Sequence, residues 1–295
     1  MKLAYYPGCT LKTKAANLEK AALAALDVLG LEYHELERWN CCGAVYSLAD
    51  DDLIHHVAAV RDLIRVQQAG CDTVVTLCSQ CYNTIARANL LMRSDDEKRD
   101  TINRFMDEEP DYDGSVEVRH FLQLLRDEVG WEALRAKVTR PLDGLKVAPF
   151  YGCTLVRPDE VSIDPVGEGL LEAFLRALGA EPVRFSAATE CCGAYQMLAH
   201  PEAGIERAGK VIAAANRAEA DAIVLSCPLC EYNLGTRQPD VVAADEGLES
   251  VPTLYISQLL ALALGLEVEV LRLERNAQAA VDLLTDRNFI TPATA

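Results

Sequence analysis

Ten of the eleven cysteines fall into two sets that share one pattern. In the first, Cys9 is followed after 31 residues by Cys41-Cys42 and after a further 35 by Cys78-x-x-Cys81. In the second, Cys153 is followed after 37 residues by Cys191-Cys192 and after a further 34 by Cys227-x-x-Cys230. Thiolates are soft donors suited to zinc and to iron–sulfur clusters, so the duplicated pattern points to two metal centres. Five donors are one more than tetrahedral zinc or an ordinary four-cysteine cluster uses. Either one thiol of each set is spare, or the centre takes an additional, bridging thiolate. Zinc in one or both halves stays open on this count. Buried, unligated cysteines would leave the repeated C-x-x-C and C-C-G units unexplained. A thioredoxin-like redox pair would leave three cysteines of each set without a role.

The local sequence says how such sulfurs could be held. Each C-x-x-C follows an apolar run and opens a helical pattern, which puts its sulfurs near unpaired backbone N–H groups and the positive end of a helix dipole. Pro228 fits the first helical turn, where its missing N–H has no partner to lose. Adjacent cysteines on a regular strand would face opposite ways, so Cys41-Cys42 and Cys191-Cys192 can serve one site only where the chain turns. Gly43 and Gly193 supply that freedom. Cys71 has no counterpart, since Ala220 stands at the matching place, and reads as a structural thiol. His34, His55, His56, His120 and His200 show no repeated ligand spacing and read as surface or capping residues.

The elements that must position the cysteines repeat as well. Tyr6-Pro7-Gly8-Cys9-Thr10-Leu11 matches Tyr151-Gly152-Cys153-Thr154-Leu155, and Asn40-Cys41-Cys42-Gly43-Ala44 matches Glu190-Cys191-Cys192-Gly193-Ala194. Gln123-Leu124-Leu125 matches Gln258-Leu259-Leu260 without any cysteine, so the duplication covers the fold. In the first half Leu3–Tyr6 and Thr73–Leu77 read as strands, Ala15–Leu29 and Leu53–Ala69 as helices, and Gly30 as a helix stop. The second half repeats this with strands at Val147–Tyr151 and Ala222–Leu225, and helices at Gly169–Leu178, closing at Gly179, and Ala203–Ala218. Strands alternating with helices predict an α/β fold of two duplicated domains, each a small, mainly parallel sheet flanked by helices, paired about a pseudo-twofold. The boundary is expected near Leu142–Lys146, dividing the chain into 1–143 and 144–295. The acidic segment Arg93–Gly114 reads as an exposed helix or inserted loop, and Leu271–Ala295 as a helix with a loose tail.

Composition narrows the function. A chain of 295 residues, half of them hydrophobic, can bury a sizeable core. A formal net charge of −17, with 28 Lys and Arg residues scattered along the chain, opposes nucleic-acid binding. With no signal-peptide pattern and no run long enough to span a bilayer, a soluble, cytoplasmic protein is expected, in a compartment where thiols stay reduced.

On these cysteine motifs the chain resembles the cysteine-rich CCG-domain family over essentially its full length, and within it the stand-alone B-type component of heterodisulfide reductases. The 34-residue gap is slightly shorter than the family's usual spacing, which implies a trimmed loop. The resemblance implies that each half binds a non-cubane [4Fe–4S] cluster through all five of its cysteines, which answers the ligand count. It also implies reductive cleavage of a disulfide, such as CoM-S-S-CoB or that of a related thiol carrier, between the two clusters. Electrons would come from a ferredoxin-like partner subunit linked to a flavin-containing one, because the chain has neither a C-x-x-C-x-x-C-x-x-x-C-P run nor G-x-G-x-x-G. Related domains also serve as electron relays in organic-acid dehydrogenase complexes, which is the alternative function, with a zinc-bearing scaffold as a third. Lys12 and Arg157, just beyond Cys9 and Cys153, are candidates to meet anionic substrate groups.

Overall fold

The computed structural model describes residues 2–44 and 53–291. In the first half, strands β1 (Leu3–Tyr5), β2 (His34–Glu35), β3 (Thr73–Thr76) and β4 (Glu117–His120) alternate with helices α1 (Ala16–Leu29), α2 (Ile54–Gln68), α3 (Ser79–Ser94) and α4 (Asp96–Phe105), and α5 (Phe121–Leu124) and α6 (Trp131–Lys137) follow. The second half has strands β5 (Lys146–Pro149), β6 (Glu181–Pro182), β7 (Ala222–Leu225) and β8 (Thr253–Tyr255). Its helices include α7 (Leu170–Ala177), α8 (Gln196–Ala199), α9 (Pro201–Arg217), α10 (Pro228–Glu231), α11 (Gln238–Ala243) and α12 (Ile256–Ala263).

The sheets are separate and share one order, β2-β1-β3-β4 and β6-β5-β7-β8, with every pair parallel. The central strands are apolar runs because helices cover both of their faces: Val75, Val147, Ile223 and Val224 have no exposed surface. The chain leaves β1 toward β2 on one side and returns as β3 on the other. The carboxyl ends of β1 and β3 therefore flank a crevice, the place where parallel α/β sheets bind ligands. The second half has the same switch point between β5 and β7.

The predicted long elements lie where expected to within two residues at either end, and Gly30 ends α1 in the left-handed conformation with φ 78°. The acidic segment is helical, as α4, and is tied down by buried Ile102, Met106 and Tyr112. The C-terminal stretch holds a helix at Gln278–Asp286, while residues 292–295 of its expected tail lie outside the described residues.

The halves pack reciprocally: α1 lies on α12, and α5 lies against α7. Helix α12 reads Ile-Ser-Gln-Leu-Leu-Ala-Leu-Ala and is buried on every side, between its own sheet and α1. Ala21, Ala22 and Ala25 of α1 are small enough to bring the two helices close, and all three are fully buried. Each leucine buried at this seam contributes roughly 1.5–3 kcal/mol. Two hydrogen bonds cross near the seam, Ser257 Oγ donating to Leu18 O at 2.8 Å and Asn17 Nδ2 donating to Asn276 Oδ1 at 2.9 Å, while the buried Asn17 Oδ1 finds no partner among the described residues.

Candidate metal centre

The cysteines gather at the carboxyl ends of the strands. Cys78 and Cys227 are the extended residues that cap α3 and α10, with Pro228 in the first turn as its chemistry predicts. Cys9 and Cys153 lie on the turns after β1 and β5. The chain turns at the paired cysteines through Gly43 at φ 83° and Gly193 at φ 100°. Gly8 carries a second constraint, since at φ 71° a Cβ there would stand 3.1 Å from Cys81 Sγ, so the main chain passes directly against the sulfur.

Within the first set Cys9 Sγ lies 3.9 Å from Cys41 Sγ, and Cys42 Sγ lies 3.6 Å from Cys81 Sγ. Within the second, Cys192 Sγ and Cys230 Sγ are 3.3 Å apart. Cys9 and Cys41 are exposed, Cys153 and Cys191 half-buried, and the remaining six of the ten are buried. The two sets meet. Cys78 and Cys227 come close enough across the halves to shift one another's proton affinity, and beside them Ser79 Oγ and Ser226 Oγ are 2.5 Å apart in a fully buried contact. Among the described residues no three Cys, His, Asp or Glu side chains close around a single point. The sulfurs form two rows that touch at their inner ends.

Sulfur-to-sulfur hydrogen bonds set the proton affinities. Bonds from Cys41 and Cys81 pull Cys42 well below the ordinary thiol range, and bonds from Cys230 and Cys78 do the same for Cys227. The opposite members rise: Cys81 and Cys230 through bonding to Cys42 and Cys192 and through burial, and Cys78 through bonding to Cys227. Cys191 falls to about 2, chiefly through Cys153, and Cys192 is pushed up to about 12, chiefly through Cys191. Apolar surroundings do not support several adjacent thiolates at once, so protons are shared along the row until a cation replaces them.

Side chains outside the motifs brace the rows. Asn233 Nδ2 donates to Cys192 O at 3.1 Å, to Ala194 O at 2.8 Å and to Cys192 Sγ at 3.5 Å. Asn40 Nδ2 bonds Ala58 O and Cys41 O, and its main-chain N–H donates to buried Asp62 at 2.8 Å. Burial raises the Asp62 carboxyl to about 8. These roles carry no spacing signal, although Asn233 is legible afterwards as a polar residue one turn beyond the C-x-x-C.

The remaining expectations divide. Cys71 stands apart from both rows, its Sγ 3.8 Å from Ala69 O. His120 caps α5 through Nδ1, which accepts from Leu122 N at 3.3 Å, and burial lowers its imidazole to about 3. Lys12 is corrected: its ammonium lies 2.7 Å from both Glu19 and Glu35, which already claim its charge. Arg157 is exposed, and its carbonyl accepts from Asn83.

The family profile described as "Cysteine-rich domain", CCG, matches residues 3–86 and 147–235, one match in each half. This chain belongs to the CCG cysteine-rich domain family. Among its relatives is the 8-methylmenaquinol:fumarate reductase membrane anchor subunit of Wolinella succinogenes, 35% identical over 288 residues, with 96% of this chain and 99% of that one aligned. The B-type component of the ferredoxin/F420H2-dependent CoB-CoM heterodisulfide reductase of Methanosarcina acetivorans is 32% identical over 291 residues, covering 96% of each chain. A crystal structure of a hypothetical protein from Helicobacter pylori superposes with a TM-score of 0.75 at 14% identity, over 93% of this CCG-family chain and 51% of that one, and shows the shared fold. Among the described residues of the CCG chain no helix is long and apolar enough to cross a membrane.

Proposed function

We propose that this chain is the disulfide-cleaving subunit of a heterodisulfide reductase-like complex. Cys9, Cys41, Cys42, Cys78 and Cys81 hold one [4Fe–4S] cluster of the non-cubane kind, and Cys153, Cys191, Cys192, Cys227 and Cys230 hold the other. The observation that carries this reading is the meeting of the two sulfur rows at Cys78 and Cys227. It puts equivalent donors from both halves on either side of one point. A row of five thiols suits a group of several irons better than a single tetrahedral ion, which draws four donors around itself.

When bound, such clusters supply one-electron carriers and soft Lewis-acid irons. The chain itself supplies the sulfur donors, the braces at Asn40 and Asn233, and a buried seam that keeps water from the inner ends of the rows. Cleaving a disulfide takes two electrons: the S–S bond breaks, each sulfur leaves as a thiolate, and each takes up a proton. The electrons come from a ferredoxin-like partner fed by a flavin-containing one. A reducing cytoplasm is where ten free thiols persist, and the proposal places the chain there.

Anaerobic purification with iron and zinc analysis, followed by electron paramagnetic resonance with and without an added thiol, tests this reading. Iron in both halves and a thiol-dependent change in both signals are expected. Stoichiometric zinc in one half, or a change confined to one signal, overturns the joint mechanism. The likeness to a fumarate reductase component favours a second reading, an electron relay facing a quinol. Reoxidation of the reduced protein by a naphthoquinone and not by a disulfide would decide for the relay.

A further inference from the structure

The duplication is broken between each C-x-x-C and the edge strand of its sheet. The first half places 35 residues there, 82–116, and the second only 22, 231–252. In the first half α3 runs for 16 residues along α2 and α4 follows it. The segment beyond α4 is tied back to α2. Arg65 donates to Glu109 at 2.7 Å, Arg61 lies 3.3 Å from the same carboxylate, and Gln67 Nε2 donates to Ser115 Oγ at 2.9 Å. Val60 and Ile64 of α2 are left with no exposed surface.

The second half keeps the anchor and loses the cover. Asn216 stands four residues before Ala220 as Gln67 stands four before Cys71, and it bonds Glu249 N and O at 3.0 and 3.1 Å. The helix after this C-x-x-C stops at Glu231, passes through a π-helical turn at Tyr232–Thr236 and resumes as α11. Between α9 and α11 lies a groove of about 530 Å³, floored by Ile205, Gly209, Ala213, Val241, Ala244 and Leu248. Gly209 and Ala213 stand where the first half has Val60 and Ile64. On α9 this floor lies nearly opposite the side that places Arg207 and Val211 beside Cys191, so the groove is turned away from the sulfur rows.

Gly209 is the telling residue of the floor. It sits in the middle of a 17-residue helix, where glycine costs about 0.5–1 kcal/mol relative to alanine. The chain's own packing does not ask for it: a Cβ there would stand 3.6 Å from Val241 Cγ1 and 3.7 Å from Leu248 Cδ1, both ordinary contacts. Gly204 in the same helix differs, since a Cβ there would meet Met197 Cα at 2.5 Å. A second backbone lying close in the groove accounts for Gly209. The rim is acidic. Lys210 is taken by Glu206 at 2.7 Å, while Glu202 and Asp245 on the rim, and Glu246 beside it, are exposed and make no ion pair among the described residues.

We propose that the groove between α9 and α11 docks one short amphipathic helix of another polypeptide, apolar toward Gly209 and carrying Lys or Arg opposite Glu202 and Asp245. The first half covers the matching face with its own chain, and the second takes its cover from outside. The groove follows α9 from Glu202 to Ala213, about 16 Å or three turns of a docked helix. Charge selects the occupant. A second copy of a chain with net charge −17 is repelled by this rim, and so is an anionic bilayer, whereas lysines and arginines are drawn to it.

The test is fluorescence anisotropy on the full chain with a labelled, designed helical peptide of about 16 residues, leucine and alanine on one face and lysines on its flanks. Its counterpart carries glutamate in place of every lysine. The lysine peptide is expected to bind once per chain, more weakly as salt rises, and the glutamate peptide not at all. Gly209→Leu fills the groove and weakens the lysine peptide at least about tenfold, roughly 1.4 kcal/mol, while the urea midpoint holds or rises because leucine favours a helix over glycine. Glu202→Lys with Asp245→Lys reverses the preference between the two peptides. No binding of the lysine peptide, equal binding of both, or binding untouched by Gly209→Leu would each overturn the proposal. So would a dimer in sedimentation, or pelleting with phosphatidylserine vesicles, that Gly209→Leu abolishes, since the occupant would then be a second copy or a lipid surface. Iron content and disulfide cleavage enter none of these readouts, so the groove and the reductase reading stand or fall separately.

Discussion

The two halves share a strand order, a set of five sulfurs and even a pair of capping glutamines, yet they differ in what lies over the C-x-x-C helix. On the first half Tyr82 and Asn83 grip a loop from the second. On the second half Glu231 and Tyr232 look into a cleft. The strands and sulfurs must keep their geometry if the metal centres are to form. The connecting loops are free to diverge, and one of them closes one of two equivalent mouths. A duplicated fold thereby yields a molecule with a front and a back.

The largest expected effect tests whether the sulfur sets are independent. Cys81→Ser and Cys230→Ser should each remove roughly half of the bound iron, because each set of donors is complete within its own half. Loss of all iron from either variant would show that the centres assemble only together.

The next difference lies at the helix caps, where His120 in the first half stands at the position of Tyr255 in the second. The folded state holds the imidazole neutral, with its affinity lowered from 6.5 to about 3 by burial, while the unfolded chain protonates near 6.5. The unfolded state therefore binds more protons across that window, and stability falls as pH drops from about 6.5 toward 3, by up to about 4 kcal/mol. His120→Asn keeps a capping acceptor and has no such titration. Urea melts from pH 7 to pH 4 should be shallower in pH for the variant than for the parent, and parallel curves would refute the assignment.

A smaller effect weighs the closed mouth against the open one. Asn83→Ala strands the carbonyls of Thr154 and Arg157 and should cost about 1–3 kcal/mol, read as a shift in the unfolding midpoint. Tyr232→Ala removes a half-buried ring from a cleft wall and should cost less. If Tyr232 proves the costlier position, the second mouth is not open. The smallest effect belongs to Cys71→Ser, which should leave iron content unchanged because its sulfur stands apart from both rows.

The sulfur sets and the central strands were legible in the sequence because each rests on a local pattern, repeated spacing in one case and uninterrupted apolar residues in the other. The edge strands were not. β2 and β6 are two residues long, and β4 reads Glu-Val-Arg-His, with three polar residues of four because one flank of an edge strand meets solvent. Lys12 was misread for a similar reason: its neighbour in sequence is Cys9, but its partners in space are Glu19 one helix turn into α1 and Glu35 on β2. The cleft had no local signature at all, because it is defined by where residues 154–169 do not go. Lys14 and Arg275 face it from points some 260 residues apart in the chain.

The seam between α1 and α12 also has a consequence for synthesis. Leu18 and Asn17 find their partners at Ser257 and Asn276, so the first helix made is completed by almost the last. While the chain is emerging, the alanine-rich face of α1 has nothing to lie against, and the first sheet is formed beside an uncovered apolar surface. The inner thiols Cys78 and Cys227, 149 residues apart in the chain, can come together only once the second half has been made.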